Sequence, residues 1–299
     1  MLDPYHEGAR RVQEHLGVRD RALLNGRVVA PAIPERALGF LAEQRLAVLG
    51  AAADDGGLWA GVMTGPAGFA RATRDGFGLH LACDAAAEDP LRHALRGGLS
   101  PDRRVGLLFI DHATRRRLRV GGTVVLADEE GIGISVAEAF PNCPKFIRQA
   151  WLEEPGPVVV GAVADRGDAL TEALRARIAA AETFFVASIQ PGGGLDVSHR
   201  GGAAGFLHWE REALVVPDYP GNFMFRTLGN LLADPRAGLV FADLAAGRQL
   251  QVTGRAEIDL SRAEGGTLGR WLFHPEAWVE SPLNRPVAVT PGAPSPFNP

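Results

Sequence analysis

The sequence predicts a mainly β protein with flanking helices, built as two similar barrels in one chain. Three observations lead there. The chain has 299 residues, 46% hydrophobic and 22% charged, which is length and composition enough for two ordinary domains with proper cores. It repeats: residues 46–69 align without gaps to 183–206, and 104–126 align without gaps to 236–258. In the second block Arg104, Gly106, Leu107, Phe109, Asp111, Ala113, Arg116, Leu118, Val120 and Gly122 all meet identical residues. Two long repeats mean duplicated domains, whereas a solenoid needs several short ones. Within each copy the apolar runs are short and separated by Gly-rich turns, the pattern of antiparallel strands.

Taken in order, residues 1–33 read as partly helical, with Val12 and Leu16 four apart. Copy one opens on a helix: Pro34 suits a first helical position, and Ala37, Leu38 and Leu41 share a face. "RLAVLGAAA", "LWAGVMT" and "FGLHLA" follow as strands, then a short helix-like piece and the hairpin "VGLLFID…RRLRVGGTVV". The segment 128–167 contains "AFPNCPKFIRQAW" and "EEPGPVVVG" and reads as the connection. Copy two repeats the plan. Asp168 is a candidate N-cap for a helix carrying Leu170, Leu174 and Ile178. The strands "TFFVASIQ" and "ALVVP" and the hairpin "AGLVFAD…RQLQVTGRAEI" come after it. The tail from Pro286 is Pro-rich and expected to be extended. The expected domains are therefore an N-terminal segment (1–33), a first barrel (34–127), a connection (128–167), a second barrel (168–285) and a tail (286–299).

Composition narrows the function. A net charge of −4 gives no bulk attraction to nucleic acid. The run Arg115-Arg116-Arg117 is expected to be a solvated hairpin tip. Two cysteines, Cys83 and Cys143, exclude a disulfide framework and a zinc quartet. No apolar run reaches the ~20 residues of a membrane span, and "MLDPYHEGARR" has no signal-peptide core, so a cytoplasmic protein is expected. His6-Glu7 is too short to read as a metal site, and Cys143 has no His at nucleophile spacing. Asp111 and Asp243 recur in both hairpin turns, which points to turn capping.

The chemistry lies where the copies differ. Gly61-Val62-Met63 in copy one is Ser198-His199-Arg200 in copy two, followed by Gly201 and Gly202. Alternation places Ser198 and Arg200 on one strand face and His199 on the other. Arg and Ser donate to phosphate, and Gly lets a ligand approach the backbone. Against "CDAAAEDPLRHALRGGLSPDR" (83–103) stands "PDYPGNFMFRTLGNLLADPR" (217–236), which concentrates Tyr219, Asn222, Phe223, Met224, Phe225, Arg226, Thr227 and Asn230 around one turn and helix start. Donors beside aromatic and thioether groups suit a ligand with an anionic end and a flat ring, and a helix N-terminus adds N–H groups for the anion. Gln249 replaces Arg117 in the hairpin.

"Y-P-G-N-x-M-F-x-T-L-G-N", "DPRAGLVF" and "RQLQVTG", in that order after the Ser/Arg strand, resemble the pyridoxamine 5′-phosphate oxidase-like FMN-binding split-barrel family. "YHEGARRVQEHLGV" and "FPNCPKFI" are similar to its duplicated flavin-nucleotide-binding branch, so the resemblance spans most of the chain. It implies two tandem six-stranded split barrels forming an internal pseudo-dimer, with FMN between them. It implies that Arg226-Thr227 stands where the oxidases hold the phosphate with Arg-Lys, and that Gln249 is the hairpin Gln that touches the flavin. The implied cofactor-binding set is Ser198, His199, Arg200, Gly201, Asn222, Met224, Phe225, Arg226, Thr227, Asn230 and Gln249. The implied function is an FMN-dependent oxidoreductase acting on a small molecule, with a small-molecule substrate or electron donor as partner, no nucleic acid or membrane, and room for a further homodimer. The alternatives are a non-catalytic flavin-binding or storage module and a haem- or deazaflavin-binding protein of the same fold. No residue stands out as catalytic.

Overall fold

The computed structural model describes residues 3–53, 56–82, 89–91, 103–128, 130–159, 164–190, 192–261 and 266–298. Cys83 and most of the 83–103 stretch lie outside them. Copy one supplies β1 (Leu46–Ala52), β2 (Leu58–Thr64), β3 (Ala70–Ala72), β4 (Gly78–Leu81), β5 (Arg104–Asp111), β6 (Arg116–Asp128) and β7 (Gly131–Pro141). Between the copies run β8 (Ala150–Leu152) and β9 (Asp165–Gly167). Copy two supplies β10 (Thr183–Ile189), β11 (Leu195–Gly201), β12 (His208–Glu210), β13 (Ala213–Pro217), β14 (Arg236–Asp243), β15 (Arg248–Asp259) and β16 (Arg270–Pro282).

The first sheet runs β2-β1-β5-β6-β7-β4-β3 and the second β11-β10-β14-β15-β16-β13-β12, one order written twice. Every described pairing is antiparallel, and the registers repeat: Val48 faces Leu108 as Phe185 faces Val240, and Phe109 faces Leu118 as Phe241 faces Leu250. A β-bulge recurs as well, at Gly121/Gly122 and at Thr253/Gly254. A Cβ on Gly122 would sit 2.3 Å from the Ser135 carbonyl, and one on Gly254 2.1 Å from that of His274, so both bulges require glycine. Each path has seven strands, against the six expected. The second sheet has an eighth strand, β9, alongside β16. The first sheet also takes in β7, so it extends past residue 127 into what was expected to be connection.

Each sheet buries both faces. In β1, Ala47, Leu49 and Ala51 enter the core of the first unit, while Leu46 and Val48 join Phe185, Val197 and Val240 in a cluster shared by both units. This is why "LAVLG" reads as a continuous apolar run. The shared layer is pseudo-symmetric. A Cβ on Gly106 would meet the Leu195 carbonyl at 2.5 Å, and one on Gly238 would meet the Leu58 carbonyl at 2.5 Å. The same glycine in each copy lets the other copy's edge strand approach to backbone contact.

Helices flank this body. α1 (Glu7–His15) and α2 (Arg19–Gly26) form the N-terminal segment, α3 (Glu35–Ala42) opens copy one, α4 (Glu172–Ala179) opens copy two, and α5 (Arg226–Ala233) precedes β14. Pro34 is the N-cap of α3, one position before its first turn. α4 is capped by Thr171, whose hydroxyl accepts from the Leu174 N–H at 3.3 Å, so it begins after Asp168. α1 crosses α5 at two glycines: a Cβ on Gly8 would meet the Gly229 carbonyl at 2.2 Å, and one on Gly229 the Ala9 Cα at 2.4 Å. The tail is extended, with β17 (Val289–Pro291) paired to β8. Asp111 and Asp243 cap their hairpin turns, accepting from Ala113 N–H and Ala246 N–H at 2.9 Å each.

Candidate functional site

A cleft opens between the two units beside the end of β11. Its second-unit wall is β11 and the turn into α5, with His199, Arg200, Gly201, Asp218, Asn222, Met224, Phe225, Arg226 and Thr227 along it. Its other wall is Arg117 and Arg119 on β6 and the segment holding Asn142, Cys143, Lys145 and Phe146. Three lining residues, Phe146, Phe223 and Phe225, have positive φ of 65°, 59° and 53°. Left-handed backbone costs a bulky side chain of order 1–3 kcal/mol, and such strain collects at functional sites.

The turn into α5 is braced from behind. Gln13 donates to the Met224 carbonyl at 2.8 Å and Asn25 to the Asn222 carbonyl at 2.6 Å. The Arg21 guanidinium lies 4.0 Å from the Phe223 ring centroid. His6 Nδ1 accepts from the Gly8 N–H at 3.2 Å, so its Nε2 carries the proton and donates to Asn230 Oδ1 at 2.8 Å. Asn230 passes this on to Ser188 Oγ at 2.9 Å. Burial is the first cause that lowers the His6 pKa, so His6 stays neutral in this chain of bonds.

The cleft is positively charged and incompletely satisfied. Arg117, Arg119, Lys145, Arg200 and Arg226 face it. Three carboxylates answer them: Arg119 pairs with Asp196 at 2.8 Å, Arg200 with Asp218, and Arg226 with Glu138. Arg117 instead donates to the carbonyls of Cys143 and Lys145. Two positive charges are left over. The Nε of Arg117, Arg119, Arg200 and Arg226, both ring nitrogens of His199 and Asn142 Nδ2 are all buried without a partner. Burial first, then the neighbouring Arg119, presses the Arg117 pKa down to about 9, which leaves it charged at neutral pH. Burial and then Arg117 push His199 well below its ordinary value, so its imidazole is neutral. An acceptor-rich anion would satisfy these donors. A phosphate monoester, with three acceptor oxygens and close to two negative charges, fits the donors at the Arg200–Arg226 end.

Most of the residues singled out from the sequence come together here. His199, Arg200, Gly201, Asn222, Met224, Phe225, Arg226 and Thr227 line the cleft. Met224 and Phe225 also bury their side chains in adjoining apolar clusters. Ser198 stands one bond behind, its Oγ 2.9 Å from Thr227 Oγ1, and Asn230 lies in the brace just described. Gln249 does not join them. It sits across the molecule at the copy-one counterpart of the cleft, accepting from the Val62 N–H at 2.7 Å and donating to Asp89 at 3.3 Å. The cause is the pseudo-symmetry: each unit's hairpin reaches into the other unit's site. The residue equivalent to Gln249 at the open cleft is Arg117, and that of Gln251 is Arg119. Of the three hairpin arginines only Arg116 is exposed, because alternation along β6 turns Arg117 and Arg119 together into the cleft. The signal for them was the Arg/Gln exchange between the copies, read on the wrong unit.

The counterpart site is closed. Asp89 and Leu91 are buried there, Gln251 donates to Asp89 at 3.2 Å and to the Ala60 carbonyl at 3.0 Å, and a Cβ on Gly61 would be 2.6 Å from Leu91. Among the described residues no cluster of three or more His, Cys, Asp or Glu could hold a metal, and no helix is long and apolar enough to cross a membrane.

Comparison with known proteins puts the cleft's second-unit wall inside a described family. Residues 170–275 match the family described as pyridoxamine 5′-phosphate oxidase. No curated protein matches the chain. Among solved structures, an FAD-binding protein from Mesorhizobium loti is 14% identical, covering 40% of this chain and 98% of its own, with a TM-score of 0.29. An F420 reductase is 16% identical, covering 36% and 98%, with a TM-score of 0.28. HutZ, a haem-storage protein from Vibrio cholerae, is 13% identical, covering 39% and 90%, with a TM-score of 0.24. Likeness at this level carries nothing about ligand or activity.

Proposed function

From the match of residues 170–275 to the pyridoxamine 5′-phosphate oxidase family, we propose that the chain binds one FMN in the cleft and uses it as an oxidoreductase on a small molecule. The observation that carries the reading is the pair of buried, unpartnered Nε groups of Arg200 and Arg226 beside the Ser198–Thr227 hydroxyl pair at one end of the cleft. Arg226, Thr227, Arg200 and Ser198 hold the phosphate. Thr227 and Ser198 share one hydroxyl–hydroxyl bond, which leaves one O–H free to donate. The first N–H groups of α5 add to this end. Gly201 keeps the backbone open beside the ligand.

The flavin, when bound, supplies the hydride or electron chemistry. The protein's own part is to anchor the phosphate, to keep His199 neutral and to close the copy-one site. Copy one acts as structural partner and far wall, contributing Arg117 and Arg119, with Lys145 and Phe146 added by the connecting segment. Haem is the second reading, favoured by the two free nitrogens of the buried His199 imidazole. The absorption spectrum of the purified chain separates the two: twin bands in the blue and near-ultraviolet with release of FMN by mass support the proposal, and a Soret band refutes it. Turnover with NADH or NADPH then distinguishes an enzyme from a storage module.

A further inference from the structure

Strand β11 separates two sets of polar groups. Ser198 and Arg200 bond to Thr227 and Asp218 on one side. His199, on the other face, is set against Phe185 at 5.6 Å between ring centroids and feels the charge of Arg117. The phosphate reading uses the first set and leaves the second unexplained. His199 is 6% exposed, borders the cleft and has no partner on either ring nitrogen. Arg117 has no carboxylate within 4.0 Å among the described residues, and its buried Nε is unpartnered.

The closed site is an internal control. There the equivalents of Arg117 and Arg119 are Gln249 and Gln251, the equivalent of His199 is Val62, and the chain inserts a carboxylate of its own. Asp89 accepts from Gln249 and Gln251 at 3.3 and 3.2 Å, and Gln249 also bonds the Val62 N–H. At the open cleft the two carboxamides become guanidiniums and Val62 becomes a neutral imidazole; Asp196 pairs with Arg119, but among the described residues no carboxylate pairs with Arg117 as Asp89 does with Gln249. A buried cation without its own acid, as Arg117 is among the described residues, calls for an anion from outside.

Resting on the flavin reading, we propose that Arg117 and His199 form a second anion subsite, separate from the phosphate end, that takes one negative charge. Two groups share that chemistry: the carboxylate of a second small ligand, and the N1–C2=O edge of the flavin ring in its reduced, anionic form. Arg117 supplies charge and fork, Arg119 adds charge while held by Asp196, and His199 supplies a neutral donor or acceptor.

The test uses the full FMN-loaded chain with benzoate as the carboxylate probe. If the subsite serves a second ligand, benzoate perturbs the flavin spectrum and Arg117→Gln, which copies the closed site, weakens it about ten- to a hundredfold. If it serves the ring edge, benzoate is indifferent and Arg117→Gln lowers the flavin midpoint potential, by about 30 mV for each tenfold of lost preference for the reduced form. In either case Arg117→Lys recovers part of the effect. Unchanged benzoate affinity together with unchanged potential in a folded Arg117→Gln chain overturns the proposal. Should that variant not fold, His199→Phe replaces it, and wild-type benzoate affinity and potential there have the same force. Should the wild type take up no FMN, the flavin reading fails by itself. The subsite is then read on the ligand-free chain, where benzoate must raise the thermal midpoint of wild type and not of Arg117→Gln; no rise in wild type overturns it.

Discussion

Arg200 sits at the junction of the polar groups along β11, and its replacement has two consequences. Hydrogen bonds to charged groups are worth roughly 1.5–3 kcal/mol, so Arg200→Ala should weaken FMN about ten- to a hundredfold. It also strands the buried Asp218 carboxylate, which Arg200 neutralises. Arg200→Ala/Asp218→Ala separates the two, because it keeps the lost phosphate contact and removes the stranded charge. Riboflavin has no phosphate and should be indifferent to the double variant; equal losses for riboflavin and FMN, read by fluorescence quenching, would remove Arg200 from the phosphate. Arg116→Ala, at an exposed residue over the Phe40 ring, should leave both affinities unchanged. The imidazoles make a prediction about pH. Burial lowers His112 to about 4 and, with the Arg117 charge, holds His199 well below its ordinary value. Between about 6.5 and about 4 the unfolded chain therefore binds more protons than the folded one, and stability must fall as pH falls through that window. Urea midpoints should be lower near pH 5 than near pH 7.5, and His112→Gln should narrow the gap. A midpoint that is flat or rising on acidification would contradict the buried, neutral histidines.

Among the elements, the crossing of α1 and α5 decides whether the site stands. Only glycine at positions 8 and 229 lets the two helices touch, since either Cβ would fall within 2.4 Å of backbone on the other helix. α5 begins at Arg226-Thr227, so a shift of α1 moves the phosphate end directly. Gly8→Ala should cost about 1–3 kcal/mol by overpacking and weaken FMN as well, whereas Gly17→Ala, where nothing stands within 4 Å, should cost only the strain of its φ of 65°. Denaturant midpoints and FMN titration of both variants check this; normal FMN affinity in a destabilised Gly8→Ala chain would detach α1 from the site. The recurring bulges work at the same scale. By turning β6 and β15 at Gly122 and Gly254, they accompany hairpins that reach across into the other unit.

The whole molecule behaves as an asymmetric pair made from a symmetric plan. Backbone contacts at Gly106 and Gly238 lock the units together, yet among the described residues the two equivalent sites differ, one lining an open cleft and the other filled by side chains. The closed one lacks the Arg200 equivalent, having Met63, and is filled by Asp89, Leu91, Gln249 and Gln251. Titration should therefore end at one FMN per chain, and two equivalents of similar affinity would contradict the closure. Gly106→Ala and Gly238→Ala should each destabilise the chain by about 1–3 kcal/mol. Because the closed site offers no cofactor to lose, what distinguishes the two is how much FMN affinity falls with each. Gly106 abuts the strand that carries Ser198 and Arg200, so its substitution should reduce FMN affinity more than Gly238→Ala. Equal losses would mean that the interface transmits strain to the cleft from either side.

The sequence alone determined the duplication, the mainly β class, the turn-capping aspartates and the stretches that form the cleft's second-unit wall. These follow from local signals: alternation, glycine-punctuated turns, and identical residues at identical spacing. It also marked Ser198, Arg200, Arg226 and Thr227, because a polar exchange at one place in a repeat stands out against its apolar copy. What only the tertiary structure decided is which hairpin meets which site. Nothing in "RRLRV" or "RQLQV" says that each crosses the pseudo-two-fold axis, so Gln249 was assigned to its own unit and Arg117 to solvent. That crossing comes from sheet-to-sheet packing through Gly106 against Leu195 and Gly238 against Leu58, contacts between residues far apart in sequence that leave no periodic trace in the chain. Likewise β7 joined the first sheet and Thr171 capped α4 in place of Asp168. Strand partners and caps are chosen by which backbone groups lack a bond once the core has formed, and the core exists only in three dimensions.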